Sequence, residues 1–103
     1  MMLRTAQQRK VLCSTCPIAK AADLVGDSHT ILIVRDLLDK PRHFCELERS
    51  LEGISTRTLT NKLKRLETEG LVKSCIEGYR LTDKGIGLKE LIADMRSYGK
   101  KYL

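Results

Sequence analysis

The stretch Cys13-Ser14-Thr15-Cys16-Pro17 sets two thiols apart by two residues. That spacing suits half of a zinc site, a redox dithiol or a disulfide. A structural zinc site takes four ligands, commonly two such pairs. Cys45, Cys75, His29 and His43 each stand alone, so a second half-site would have to come from a second chain. A thioredoxin-like dithiol belongs beside a βαβ unit, and none is legible here. Paired carboxylates, a nucleophile with its base, and a phosphate-cradling glycine loop are all missing from the pattern. The expectation is therefore a protein that is not an enzyme, with no cofactor and no metal.

Cys16 carries the sharper possibility. It precedes Pro17 at the start of an expected helix, where unpaired N–H groups and the helix dipole favour a thiolate. Lys20, about one turn later, adds positive charge. Cys16 is thus a redox candidate, with Cys13 as a resolving partner or with a bridge between subunits. Cys75 is a lesser candidate, expected beside Lys73 and Arg80. The alternative for Cys16 is a small, half-buried residue with no reactivity.

A second chemistry lies further along. From Gly53 to Leu66 there are four basic residues and no acidic one. At helical spacing Leu59, Leu63 and Leu66 share one face. Arg57, Asn61 and Lys64 then take the opposite face, flanked by Thr60 and Arg65. Arg can hold guanine and Asn can hold adenine through two hydrogen bonds each. Thr and Lys suit phosphates or base edges, and the helix start at Ser55-Thr56 offers free N–H groups to phosphate. The competing reading is a solvated basic helix in a protein-docking module.

These groups need elements to hold them. A helix is expected over Pro17–Val25, with Ile18, Ala21, Ala22 and Val25 on one face and Gly26 as its stop. A second, central helix runs from about His29 to Leu38, capped by Asp27 or Ser28 and ended by Pro41. A third covers about His43–Leu51, and a fourth about Thr56–Glu69, capped by Ser55. Two short strands, Leu71–Ile76 and Tyr79–Thr82, turn at Glu77-Gly78. That turn would pair Cys75 with Arg80 and Ser74 with Leu81, with Val72, Ile76, Tyr79 and Leu81 facing the core. A last helix begins near Thr82-Asp83 and carries a stripe of Leu88, Leu91, Ile92, Met95, Tyr98 and Tyr102. A terminal stripe of this kind in a small domain often meets a second subunit.

Bulk properties agree with one small domain spanning 1–103. Aromatic residues are 4% of the chain, so its core must be aliphatic. The net charge of +6 favours an anionic partner. The start of the chain has no continuous apolar stretch of the secretory kind, and no run approaches the roughly 20 apolar residues a membrane span needs. A cytoplasmic protein without a membrane partner is expected. There, thiols are more often free, ligating or sensing than structural disulfides.

Helix, helix, turn, helix, hairpin, helix is the order of a winged helix–turn–helix. Residues 16–91 resemble the HxlR-type family of winged-helix transcriptional regulators, a relative of the MarR type. The stretches "CPIAKAADLVG", "ILIVRDLLDKPRHFCELERSLEGISTRTLTNKLKRLETEGLV" and "YRLTDKG" carry the likeness. It implies a mostly α fold with a small β-hairpin and extra N- and C-terminal dimerisation helices. It also implies a homodimer on double-stranded DNA, with Thr56, Arg57, Thr60, Asn61 and Lys64 on the recognition helix. The Cys16-Pro17 position matches a redox-responsive thiol in some members, and the likeness places it beside the dimer interface. Two features depart from the family. "GDSHT" stands where a Lys-Trp pair is usual, with His29 a packing substitute for the aromatic. The wing is short, leaving Lys73 and Arg80 for phosphate and little reach into a minor groove.

Overall fold

The computed structural model describes residues 16–103. The expectation for Cys13 lies outside the described residues. In chain order the elements are α1 (Pro17–Val25), α2 (Ser28–Asp39), α3 (Phe44–Ser50), α4 (Thr56–Thr68), β1 (Val72–Cys75), β2 (Gly78–Leu81), α5 (Asp83–Ile86) and α6 (Lys89–Tyr102).

Capping decides where most of these helices start. The first N–H groups of a helix lack internal partners, and nearby side chains accept them. Cys16 Sγ accepts from the Ala19 amide at 3.5 Å, with Pro17 at the first helical position. Asp27 Oδ1 accepts from Thr30 at 2.8 Å, so Asp27 and not Ser28 caps α2. Ser55 Oγ accepts from the Thr58 amide at 3.1 Å, and Thr82 Oγ1 from that of Gly85 at 3.2 Å. In α3 the direction is reversed: Glu46 Oε1 accepts from the His43 N–H at 3.0 Å. This bond is the chief cause holding the Glu46 carboxyl below its usual range.

α2 is the central element, packing against α1, α3, α4, β2 and α6. Its Ile33, Val34 and Leu37 meet Leu47 and Leu51 of the α3 region, Leu59, Leu63 and Leu66 of α4, and Leu71, Val72, Leu81 and Ile92. The buried core is wholly aliphatic, as the scarcity of aromatics demanded.

Two expectations are corrected. The hairpin is shifted by one residue. Val72 pairs with Leu81, Lys73 with Arg80, Ser74 with Tyr79 and Cys75 with Gly78, so Ile76-Glu77 make the turn. Ile76 is 93% exposed at the tip and does not face the core. The cause lies outside the hairpin. The backbones of Arg42 and Tyr79 exchange two hydrogen bonds, of 3.1 and 2.9 Å, along the outer edge of β2. Gly78 is thereby pressed against Arg42 and His43, at φ 109°, where a Cβ would stand 2.7 Å from His43 Cα. That close approach draws the glycine into the strand and moves the turn back.

The last helix is also divided, with Gly87 and Leu88 between α5 and α6. The apolar face of α1 points outward, an orientation that the sequence leaves open. No residue of α1 is buried, Ile18 is 81% exposed, and only its Leu24 packs against the core.

Candidate nucleic-acid interface

α4 follows α3 through the turn Leu51–Ser55, where Gly53 adopts φ 87°. Leu59, Leu63 and Leu66 are buried, which fixes the rotation of α4 about its axis. Arg57, Asn61 and Lys64 consequently stand on the exposed side. Among the described residues their side chains have no hydrogen-bond or ion-pair partner. A helix with one face in the core and an unpartnered Arg-Asn-Lys face outward has the donors that base edges and phosphates accept.

The neighbouring hydroxyls are already engaged. Thr56 Oγ1 donates to Glu48 Oε2 of α3 at 2.6 Å, and Thr60 Oγ1 donates to the Thr56 carbonyl at 2.8 Å. Ser55 Oγ donates to Thr58 Oγ1 at 2.8 Å while it caps the helix.

Arg65 is exposed on the flank of α4, and its guanidinium is engaged there. Its Nη2 donates to the Asp23 carbonyl near the end of α1, at 2.7 Å. One helical turn earlier, Lys62 Nζ lies 2.9 Å from Asp27 Oδ2. Residues three apart share a flank of a helix, so α4 meets the α1–α2 corner along this flank. Asp27 thus receives three hydrogen bonds, from Lys62, from the Thr30 amide and from Thr30 Oγ1 at 3.0 Å. Burial is the largest single influence on its carboxyl and pushes it up. The bonds from Lys62 and Thr30 outweigh it, leaving the group below its ordinary value.

Lys73 and Arg80 are exposed and face each other directly across the hairpin. Cys16 and Cys75 are half-buried free thiols, and Cys45 is an exposed one. Among the described residues, three or more ligating side chains never gather as a metal would require. Also among them, no helix is long and apolar enough to cross a membrane.

Sequence reasoning missed the Glu48–Thr56 contact and the link from Lys62 to Asp27. A weak signal for the second existed. Lys62 falls between the leucine stripe and the outward face, a flank that abuts a neighbouring element. Its partner is 35 residues away, and spacing within α4 is blind to that.

The chain is similar to several known proteins. YvaP of Bacillus subtilis (strain 168), an uncharacterised HTH-type transcriptional regulator, is 33% identical over 96 residues, spanning 85% of this chain and 89% of its own. The crystal structure of quinone-bound YodB from B. subtilis superposes with a TM-score of 0.77 at 31% identity, covering 84% of this chain and all of that one. The redox regulator HypR in its reduced form gives a TM-score of 0.74 at 25% identity, covering 82% and 91%. The model of the HxlR-like helix–turn–helix family matches residues 24–103. With α4 docked through its leucines and followed by a short wing, this chain is a member of the HxlR-like helix–turn–helix family.

Proposed function

We propose that the protein is a sequence-specific transcriptional regulator of the cytoplasm that binds double-stranded DNA as a homodimer, with α4 in the major groove. The carrying observation is the unpartnered face of Arg57, Asn61 and Lys64 opposite the buried Leu59, Leu63 and Leu66. In this reading Arg57 and Asn61 read base edges, and Lys64, Lys73 and Arg80 contact phosphate. The whole chain acts as one winged helix–turn–helix unit.

Dimerisation is supported by what α1 and α6 leave in water. Ile18, Leu91, Met95, Tyr98 and Tyr102 are all exposed, and apolar surface of this kind marks an association face. A two-fold dimer would present two copies of α4 to successive major-groove segments.

Selection of duplexes from a random pool tests the reading. A palindromic site is expected, and Arg57→Ala with Asn61→Ala should lower its affinity more than that of random duplex. Equal binding of the selected site by wild type and double variant would refute α4 as the reader.

A redox response through Cys16 is supported by its Sγ against the Ala19 amide at a helix start and by the named behaviour of HypR. Two thiols would pass two electrons and two protons to a peroxide, forming a disulfide and water. Selection on reduced and peroxide-treated protein, with Cys16→Ser as control, tests it. An oxidant effect that persists in Cys16→Ser would rule this thiol out.

A further inference from the structure

Of the four basic residues between Gly53 and Leu66, two face outward and two are turned toward the α1–α2 corner. Lys62 is paired with Asp27 at 2.9 Å, and Arg65 donates to the Asp23 carbonyl at 2.7 Å. Among the described residues α1 packs on α2 but sits lightly on the core, since none of its residues is buried and Leu24 alone packs against the core. Its outer face carries Ile18 and its first turn is capped by Cys16. Arg65 thus ties the end of α1 to α4, and Lys62 ties Asp27, the N-cap of α2 two residues beyond α1, to the same flank of α4.

We propose that Lys62 and Asp27, together with Arg65 on the Asp23 carbonyl, are positioning residues that join the α1–α2 corner to α4, so that a displacement of α1 at that corner is carried to the DNA-facing side chains. The proposal rests on the reading of α4 as a DNA reader. It assigns Lys62 and Arg65 no phosphate. Asp27 serves both sides of the link, because the same carboxylate caps α2 and receives Lys62. The orientation of α4 is thereby set jointly by the leucines beneath it and by the corner beside it.

The salt dependence of binding separates a positioning residue from a phosphate contact. Each phosphate neutralised adds about 0.9 to the slope of log K against log salt. Lys62→Met should weaken binding to the selected duplex about twofold to fivefold, the scale of a partly exposed ion pair, with the slope unchanged. Asp27→Asn keeps an oxygen for the Thr30 amide and should do the same. Combining the two should cost no more than either alone. Lys62→Arg should bind as wild type does, whereas Lys64→Met should lower the slope by about 0.9. A slope for Lys62→Met that falls like that of Lys64→Met overturns the proposal, and so does wild-type affinity in Lys62→Met and Asp27→Asn. Amide exchange of α1, measured without DNA, separates two failures. Unchanged α1 exchange in Lys62→Met overturns the link itself. Capture of no duplex by the wild-type protein, with α1 exchange faster in Lys62→Met, overturns the function the link serves.

Discussion

Replacing Gly78 by alanine tests the clamp between the hairpin and the segment before α3. Two separate costs arise there. A side chain at φ 109° costs about 1–2 kcal/mol, as for other left-handed backbone positions. The added Cβ would also meet backbone, at 2.7 Å from His43 Cα and closer still to the Arg42 carbonyl oxygen. No rotamer change relieves a clash with backbone. Relief requires β2 to move away from Arg42, which opens the two Arg42–Tyr79 hydrogen bonds, worth about 1 kcal/mol each. The total is about 3–4 kcal/mol, a large part of the roughly 5–15 kcal/mol typical of a small protein. Gly53→Ala is the matched control. Gly53 has φ 87° with nothing within 4 Å of its added Cβ, so it carries only the backbone cost of about 1–2 kcal/mol. Urea unfolding of both variants at one protein concentration measures the difference. With a slope of about 1–3 kcal/mol per molar urea, the Gly78→Ala midpoint should lie about 1 M below that of Gly53→Ala. Coincident midpoints would show that the Arg42–Tyr79 bridge does not constrain the hairpin.

Two further outcomes follow from the same geometry. The Asp27 carboxyl is held below its ordinary value in the folded chain. Its contribution to stability is therefore complete above the unfolded value of about 3.9 and is lost as pH falls through the lower folded value. The stability gap between wild type and Asp27→Asn should thus close on acidification below about pH 4, as read by denaturation midpoints; a constant gap would contradict the bonding of Asp27. Tyr98, 60% exposed on α6, should be indispensable to self-association. Tyr98→Lys is expected to halve the mass in sedimentation equilibrium while leaving the helical circular dichroism intact, and a dimer that survives the change would remove α6 from the interface.

Local chemistry was the legible part of this chain. Pro17 with Gly26, Asp27, and Ser55 with its leucine stripe each define a helix from residues within a few positions of one another, and α1, α2 and α4 lie where those signals put them. The likeness to winged-helix regulators through "YRLTDKG" also pointed to the right architecture. What failed was set by distant partners. Gly78 reads as a turn residue until Arg42 and His43 occupy the space beside it. Arg65 reads as an exposed cation and is one, but its bond to the Asp23 carbonyl, 42 residues away, is invisible to spacing within α4. The outward face of α1 was legible as apolar, but periodicity carries no sign for inside or outside on a helix that the core barely touches.

The pairing of Lys73 with Arg80 across the hairpin has an energetic consequence for the free protein. Like charges directly opposite on two strands repel, and the pair stands at the foot of an exposed turn. Salt screens such repulsion over about 10 Å at 0.1 M. Added salt therefore tightens the wing of the free protein, and in the proposed complex a DNA phosphate would take the place of that counter-ion.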